Sequence, residues 1–161
     1  MKTFKQFITE GVKVTDSLVE KLRKKIRIDN GKKHIINGVM ITFRDLKELP
    51  DLSDVIVDGD YDCSSNNLHT LKGSPKQVHG SFNCSWNKLT SLEGAPEFVN
   101  GIFYCNQNPL KSLEGAPEGI YSFKSDQFTH QDYLKYWENK ILKRSIDPET
   151  NDLFGGMLDT I

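Results

Sequence analysis

The sequence is poor in the residues that staple small proteins or carry them through membranes. It has three cysteines in 161 residues. An odd set cannot pair completely within one chain, so a disulfide framework is not expected. No apolar run approaches the ~20 residues of a membrane-spanning helix. Hydrophobic residues make up only 37% of the chain, which leaves little material for a thick core. The four histidines, His34, His69, His79 and His130, are scattered. No Ser/His/Asp order, phosphate-binding loop, paired-carboxylate signature or metal-ligand spacing stands out. Asp58, Asp60 and Asp62 lack the rest of a calcium loop. The expectation is therefore a non-enzyme without cofactor or metal. The net charge is −1, but it is unevenly spread. Residues 1–47 hold twelve Lys and Arg against five Asp and Glu, whereas residues 48–161 hold nine against seventeen.

What the chain does have is a repeat. Cys63, Cys84 and Cys105 lie 21 residues apart, as do Gly59, Gly80 and Gly101; Val57, Val78, Val99 and Ile120; Leu71, Leu92 and Leu113; and Pro75, Pro96 and Pro117. Each full unit reads aromatic-x-Cys-x-x-Asn-x-Leu-x-x-Leu, from Tyr61, Phe82 and Phe103 to Leu71, Leu92 and Leu113. Side chains alternate across a strand, so the aromatic and the Cys share its inward face. The Asn (Asn66, Asn87, Asn108) can bond backbone groups that the following turn leaves unpaired. The Gly-x-Pro stretch excludes regular helix, which predicts an extended back to each unit. The cysteines are expected to stack as inward thiols, one per turn, and not as metal ligands.

The unit resembles the leucine-rich-repeat pattern L-x-L-x-x-N-x-L, with an aromatic and Cys in the first two Leu positions. That resemblance implies an α/β repeat protein: a short, right-handed leucine-rich-repeat solenoid of four to five turns with a parallel sheet on the concave face. Its ends would be capped by an N-terminal and a C-terminal helix. Ser17 and Glu20 fit a capping box before the stripe Leu18, Val19, Leu22 and Ile26. Thr129 and Asp132 fit another before Tyr133, Leu134, Trp137, Ile141 and Leu142. Asn37-Gly38 reads as a hairpin turn within residues 33–43. The expected organisation is a propeptide at 1–10, a helical cap at 11–36, repeats at 37–126, and a C-terminal helix and tail at 127–161.

Outward strand positions would line the concave face, the usual binding face of a solenoid. They include Asp60, Asp62 and Ser64; Ser81, Asn83 and Ser85; and Ile102, Tyr104 and Asn106, with Trp86 and Gln107 at the edge. An acidic strip beside Trp86, Ile102 and Tyr104 suits a protein partner that offers Lys or Arg beside an apolar anchor. The run Lys21, Arg23, Lys24, Lys25 and Arg27 reads as a basic helix face, a candidate contact for nucleic acid.

Two resemblances suggest a setting. The units GSFNCSWNKLTSLEGAPEFV and GIFYCNQNPLKSLEGAPEGI resemble repeats of leucine-rich-repeat proteins encoded by large tailed bacteriophages. MKTFKQFITE resembles the capsid-targeting peptide of internal head proteins of T-even-type phages. The second resemblance implies docking on the prohead scaffold through Phe4, Phe7 and Ile8, then cleavage at Ile8-Thr9-Glu10, between Glu10 and Gly11. The protein would be packaged in the phage head, delivered to the bacterial cytoplasm, and bind a host or phage protein there without membrane contact. A structural role in the prohead and nucleic-acid binding remain as alternatives.

Overall fold

The structure is a computed structural model of the chain and describes residues 16–41 and 45–146. Residues 1–15, including Phe4, Phe7, Ile8, Glu10 and Gly11, lie outside the described residues, as do residues 42–44 and 147–161.

The elements run α1 (Asp16–Arg23), β1 (Ile26–Asp29), β2 (Lys32–Ile36), β3 (Val39–Met40), β4 (Val55–Asp58), β5 (Tyr61–Asp62), β6 (Gln77–Val78), β7 (Phe82–Asn83), β8 (Phe98–Val99), β9 (Ile102–Tyr104), β10 (Ser122–Lys124) and α2 (His130–Ile146). The strands form a short β-solenoid of about four turns. Each full turn gives one strand to each of two sheets. Sheet A has the order β1-β2-β4-β6-β8 and sheet B the order β10-β9-β7-β5-β3. All pairs are parallel except β1 with β2. The 21-residue period is the register of the middle turns, with Val57 on Val78 on Val99 and Tyr61 on Phe82 on Phe103. The first step is one residue longer, Val39 on Tyr61, and the last one shorter, Phe103 on Phe123.

Between the sheets every turn places the same residues inward. Tyr61, Phe82 and Phe103, the three cysteines, Val57, Val78 and Val99, and the paired leucines are all buried. The rings stack in one column, Tyr61–Phe82–Phe103–Phe123–Tyr133, with centroids 5.3, 5.2, 6.0 and 5.7 Å apart and planes within 10°. Tyr133 brings α2 onto the end of this column and donates its hydroxyl to the Pro117 carbonyl at 2.9 Å. Leu18 and Leu22 of α1 join the same core.

Corners are tight. A Cβ on Gly80 would stand 2.6 Å from the Gly59 carbonyl carbon, and one on Gly101 would stand 2.7 Å from Gly80 backbone atoms. Backbones of successive turns thus touch where sheet A hands over to sheet B, and only glycine leaves room.

Several expectations change. The extended back of the repeat is a second parallel sheet. The N-terminal hairpin joins β1 to β2 through Asn30-Gly31, whose φ values are +46° and +75°. Asn37-Gly38 also has positive φ, but it is the corner that carries the chain from β2 in sheet A to β3 in sheet B. Helix α1 ends at Arg23, so Ile26 belongs to β1. It begins at Asp16, which puts Ser17 inside the first turn of the helix. The basic run is split accordingly: Lys21 and Arg23 are helical, Lys24 and Lys25 form the turn, and Arg27 is on β1.

Candidate functional site

The Asn of each turn closes the loop behind sheet B. Asn87 donates Nδ2 to the carbonyls of Cys63 and Cys84 at 3.1 and 3.0 Å, and its Oδ1 accepts from the Leu68 N–H at 3.0 Å. Asn108 repeats this with Cys84, Cys105 and Leu89. These buried amides join successive turns. The thiols are equally occupied. Cys63, Cys84 and Cys105 donate to the carbonyls of Asn83, Tyr104 and Lys124 on the next turn, at 3.4, 3.3 and 3.3 Å. Burial pushes all three thiols up, Cys105 to about 12. They are neutral and unreactive at physiological pH. Among the described residues no three His, Cys, Asp or Glu side chains converge as a metal site.

The outer face of sheet B assembles the residues that the sequence marks for binding. Register places Met40, Asp62, Asn83, Tyr104 and Lys124 in one row across the strands. Most of its polar side chains satisfy local backbone. Asp62 accepts from the Ser64 N–H at 2.8 Å, Asn83 from the Ser85 N–H at 3.1 Å, and Asp60 from the Ser81 N–H at 2.7 Å. Ser81 in turn accepts from the Ile102 N–H, and Asn106 bonds Asp126. Ser85, expected to point outward, is buried. Asp60 stays exposed, while Asp62, Ser81, Asn83, Ile102, Tyr104 and Asn106 are half-buried.

Trp86 stands apart. It is 62% exposed, and its φ is +58°. The equivalent positions of the flanking turns are Ser65 (φ +56°) and Gln107 (φ +55°). The left-handed conformation is thus a property of the turn, and a bulky side chain fits it poorly. The Trp86 N–H is held by the Asn106 carbonyl at 2.9 Å, so the strained backbone is fixed.

A second cluster was missed in the sequence. Asp58 accepts from two imidazoles at once, from His34 Nδ1 at Oδ2 and from His79 Nδ1 at Oδ1, both at 2.8 Å. The three side chains come from consecutive turns on sheet A. The signal was present for His79, which lies 21 residues after Asp58; His34 pairs in register with Ile56 and reaches Asp58 diagonally, 24 residues along the chain, a spacing that no period marks.

The basic residues Lys21, Arg23, Lys24, Lys25 and Arg27 are all exposed, but they are distributed over a helix, a turn and a strand. Among the described residues no helix is long and apolar enough to cross a membrane. The chain matches no family model, no curated protein and no solved structure.

Proposed function

We propose that the protein is a leucine-rich-repeat module that binds another protein, with the outer face of sheet B as its concave binding surface and α1 and α2 as its end caps. Trp86 is the observation that supports this most. A left-handed conformation costs a side-chain-bearing residue about 1–2 kcal/mol. Ser65 and Gln107 show that the turn does not require an aromatic. An exposed tryptophan at this position spends stability on something other than the fold, and a large aromatic is the commonest anchor of a protein interface. Tyr104, which makes no side-chain hydrogen bond among the described residues, and Ile102 extend the anchor. Asp60, Asp62 and Asp126 suit a partner that offers Lys or Arg beside an apolar group.

The setting we propose is the phage head. It rests on the resemblances of the repeats and of residues 1–10: prohead docking through Phe4, Phe7 and Ile8, trimming between Glu10 and Gly11, and action in the host cytoplasm after delivery. Affinity capture from bacterial lysate with the full chain, beside the Trp86→Ala/Tyr104→Ala variant, tests the surface. A specific partner lost in the variant is expected; a partner retained by it overturns the choice of face. Mass spectrometry of virion proteins tests the setting, with an N-terminus at Gly11 as the expected result. Finding the chain untrimmed in infected cells and absent from virions refutes it.

A further inference from the structure

We propose that the free edge of β1 is a self-pairing surface, on which a second copy of the chain lays its own β1 antiparallel to the first and continues sheet A across a two-fold axis. This contact uses no residue of the sheet B face and stands independently of the binding function above.

Among the described residues β1 is the outermost strand of sheet A, with β2 as its one neighbour. Asn30-Gly31 is a two-residue turn with both φ positive, so Asp29 and Lys32 form the hydrogen-bonded pair that closes it. Bonded and unbonded pairs alternate along antiparallel strands. Arg27 therefore bonds His34 of β2, and Ile28 turns its N–H and C=O to the open edge. Among the described residues β1 makes no hydrogen bond or ion pair beyond its pairing with β2. Ile28 is 75% exposed, and Arg27 and Asp29 are exposed charges on the opposite face of the strand.

Charges on an edge strand usually repel a passing neighbour. Here they have opposite signs and flank Ile28, which makes the strand complementary to itself. A two-fold axis perpendicular to the sheet can pass beside Ile26, Arg27, Ile28 or Asp29. At Ile26 it sets Arg27 opposite Lys25 of the second copy, at Arg27 it sets Arg27 against its own copy, and at Asp29 it does the same with Asp29; like charges directly opposite are destabilising. The axis through Ile28 sets Arg27 opposite Asp29 of the second copy, twice by symmetry. It also gives the outward N–H and C=O of Ile28 their partners at the axis, and it buries the two Ile28 side chains against each other. Arg27 lies opposite His34, which is held by Asp58. The added Asp29 thus sets Arg27 between a carboxylate of the second copy and the His34 that Asp58 holds. Such an isologous contact closes at two copies.

Sedimentation equilibrium of the full chain at low salt, from micromolar to millimolar concentration, tests the proposal. A reversible monomer–dimer equilibrium that weakens with salt is expected. Arg27→Asp and Asp29→Arg each place like charges opposite one another and weaken dimerisation by about tenfold or more. The double variant Arg27→Asp/Asp29→Arg restores complementarity and brings the dimer back. Ile28→Pro removes the N–H at the axis and gives the same loss by an independent route. A chain that stays monomeric throughout, a dimer indifferent to Arg27→Asp, or a double variant as weak as the single ones overturns the proposal.

Discussion

Single side chains in this protein separate into those the repeat requires and those it merely tolerates. Tyr61 belongs to both groups: its ring stacks on Phe82, while its buried hydroxyl has no hydrogen-bond partner among the described residues. An unsatisfied buried hydroxyl costs about 1–3 kcal/mol. Tyr61→Phe keeps the ring and removes that cost, so urea denaturation should show a gain of about 1 kcal/mol. Trp86→Asn should also raise stability by about 1 kcal/mol, because Asn accepts the left-handed conformation more readily. If Trp86→Asn lowers stability, the tryptophan is a structural residue and the case for its binding role falls. The cysteines give a pH dependence. Their folded pKa values are raised, so their contribution is complete below the unfolded thiol value of about 8.5 and is lost as pH rises towards the folded value, about 12 for Cys105. The melting temperature should fall above pH 9, and it should fall less in a Cys105→Ala variant. The inward columns were readable in the sequence because each repeats one residue type at one step. The local bonding of the outward carboxylates and amides was harder to read. Asp or Asn two residues before Ser is also the signature of a side chain that turns back to its own backbone, and Asp62–Ser64 and Asn83–Ser85 do so.

Elements here are too short to stand by themselves. A two-residue strand such as β6 or β7 has its whole stability in the turns above and below it. Asn87 makes this dependence concrete, since it bonds backbone groups of Cys63, Leu68 and Cys84. Asn87→Ala leaves these groups and the Ser85 carbonyl without that partner, and a loss of about 3 kcal/mol or more is expected in equilibrium unfolding. Sheet A escaped the sequence reading for the same reason: two residues between a proline and a glycine carry no alternation to detect. The hairpin was misplaced because Asn30-Gly31 and Asn37-Gly38 carry equal local signals. What separates them is the stacking of Gly38 against Asp60 and Gly59 at the corner, a long-range contact. Helix α2 was placed correctly by Thr129 and Asp132, whose side chains bond each other's ends of the first turn at 2.8 and 3.2 Å. Its stripe is only partly used: Tyr133 is buried, but Leu134, Ile141 and Leu142 are exposed.

At the scale of the whole molecule, stability is close to a sum over turns and the contacts between them. Hydrogen exchange should be slowest at the amides of Phe82, Cys84 and Phe103, which have a full turn on either side, and faster towards β3 and β10. Uniform protection from end to end would refute this gradient. The architecture of repeated turns was legible because one step governs both sheets in the middle of the chain, whereas the ends were not, since the first and last steps differ by a residue. That shared middle step has a consequence for how such a chain can change. Removing or duplicating one 21-residue block leaves Val on Val, ring on ring and glycine on glycine. A gene for this protein can therefore lengthen or shorten its product in whole increments of about 4.8 Å while keeping the same cross-section. The distance between the two ends is then a heritable, stepwise quantity, and Trp86 rides along it like a mark on a ruler.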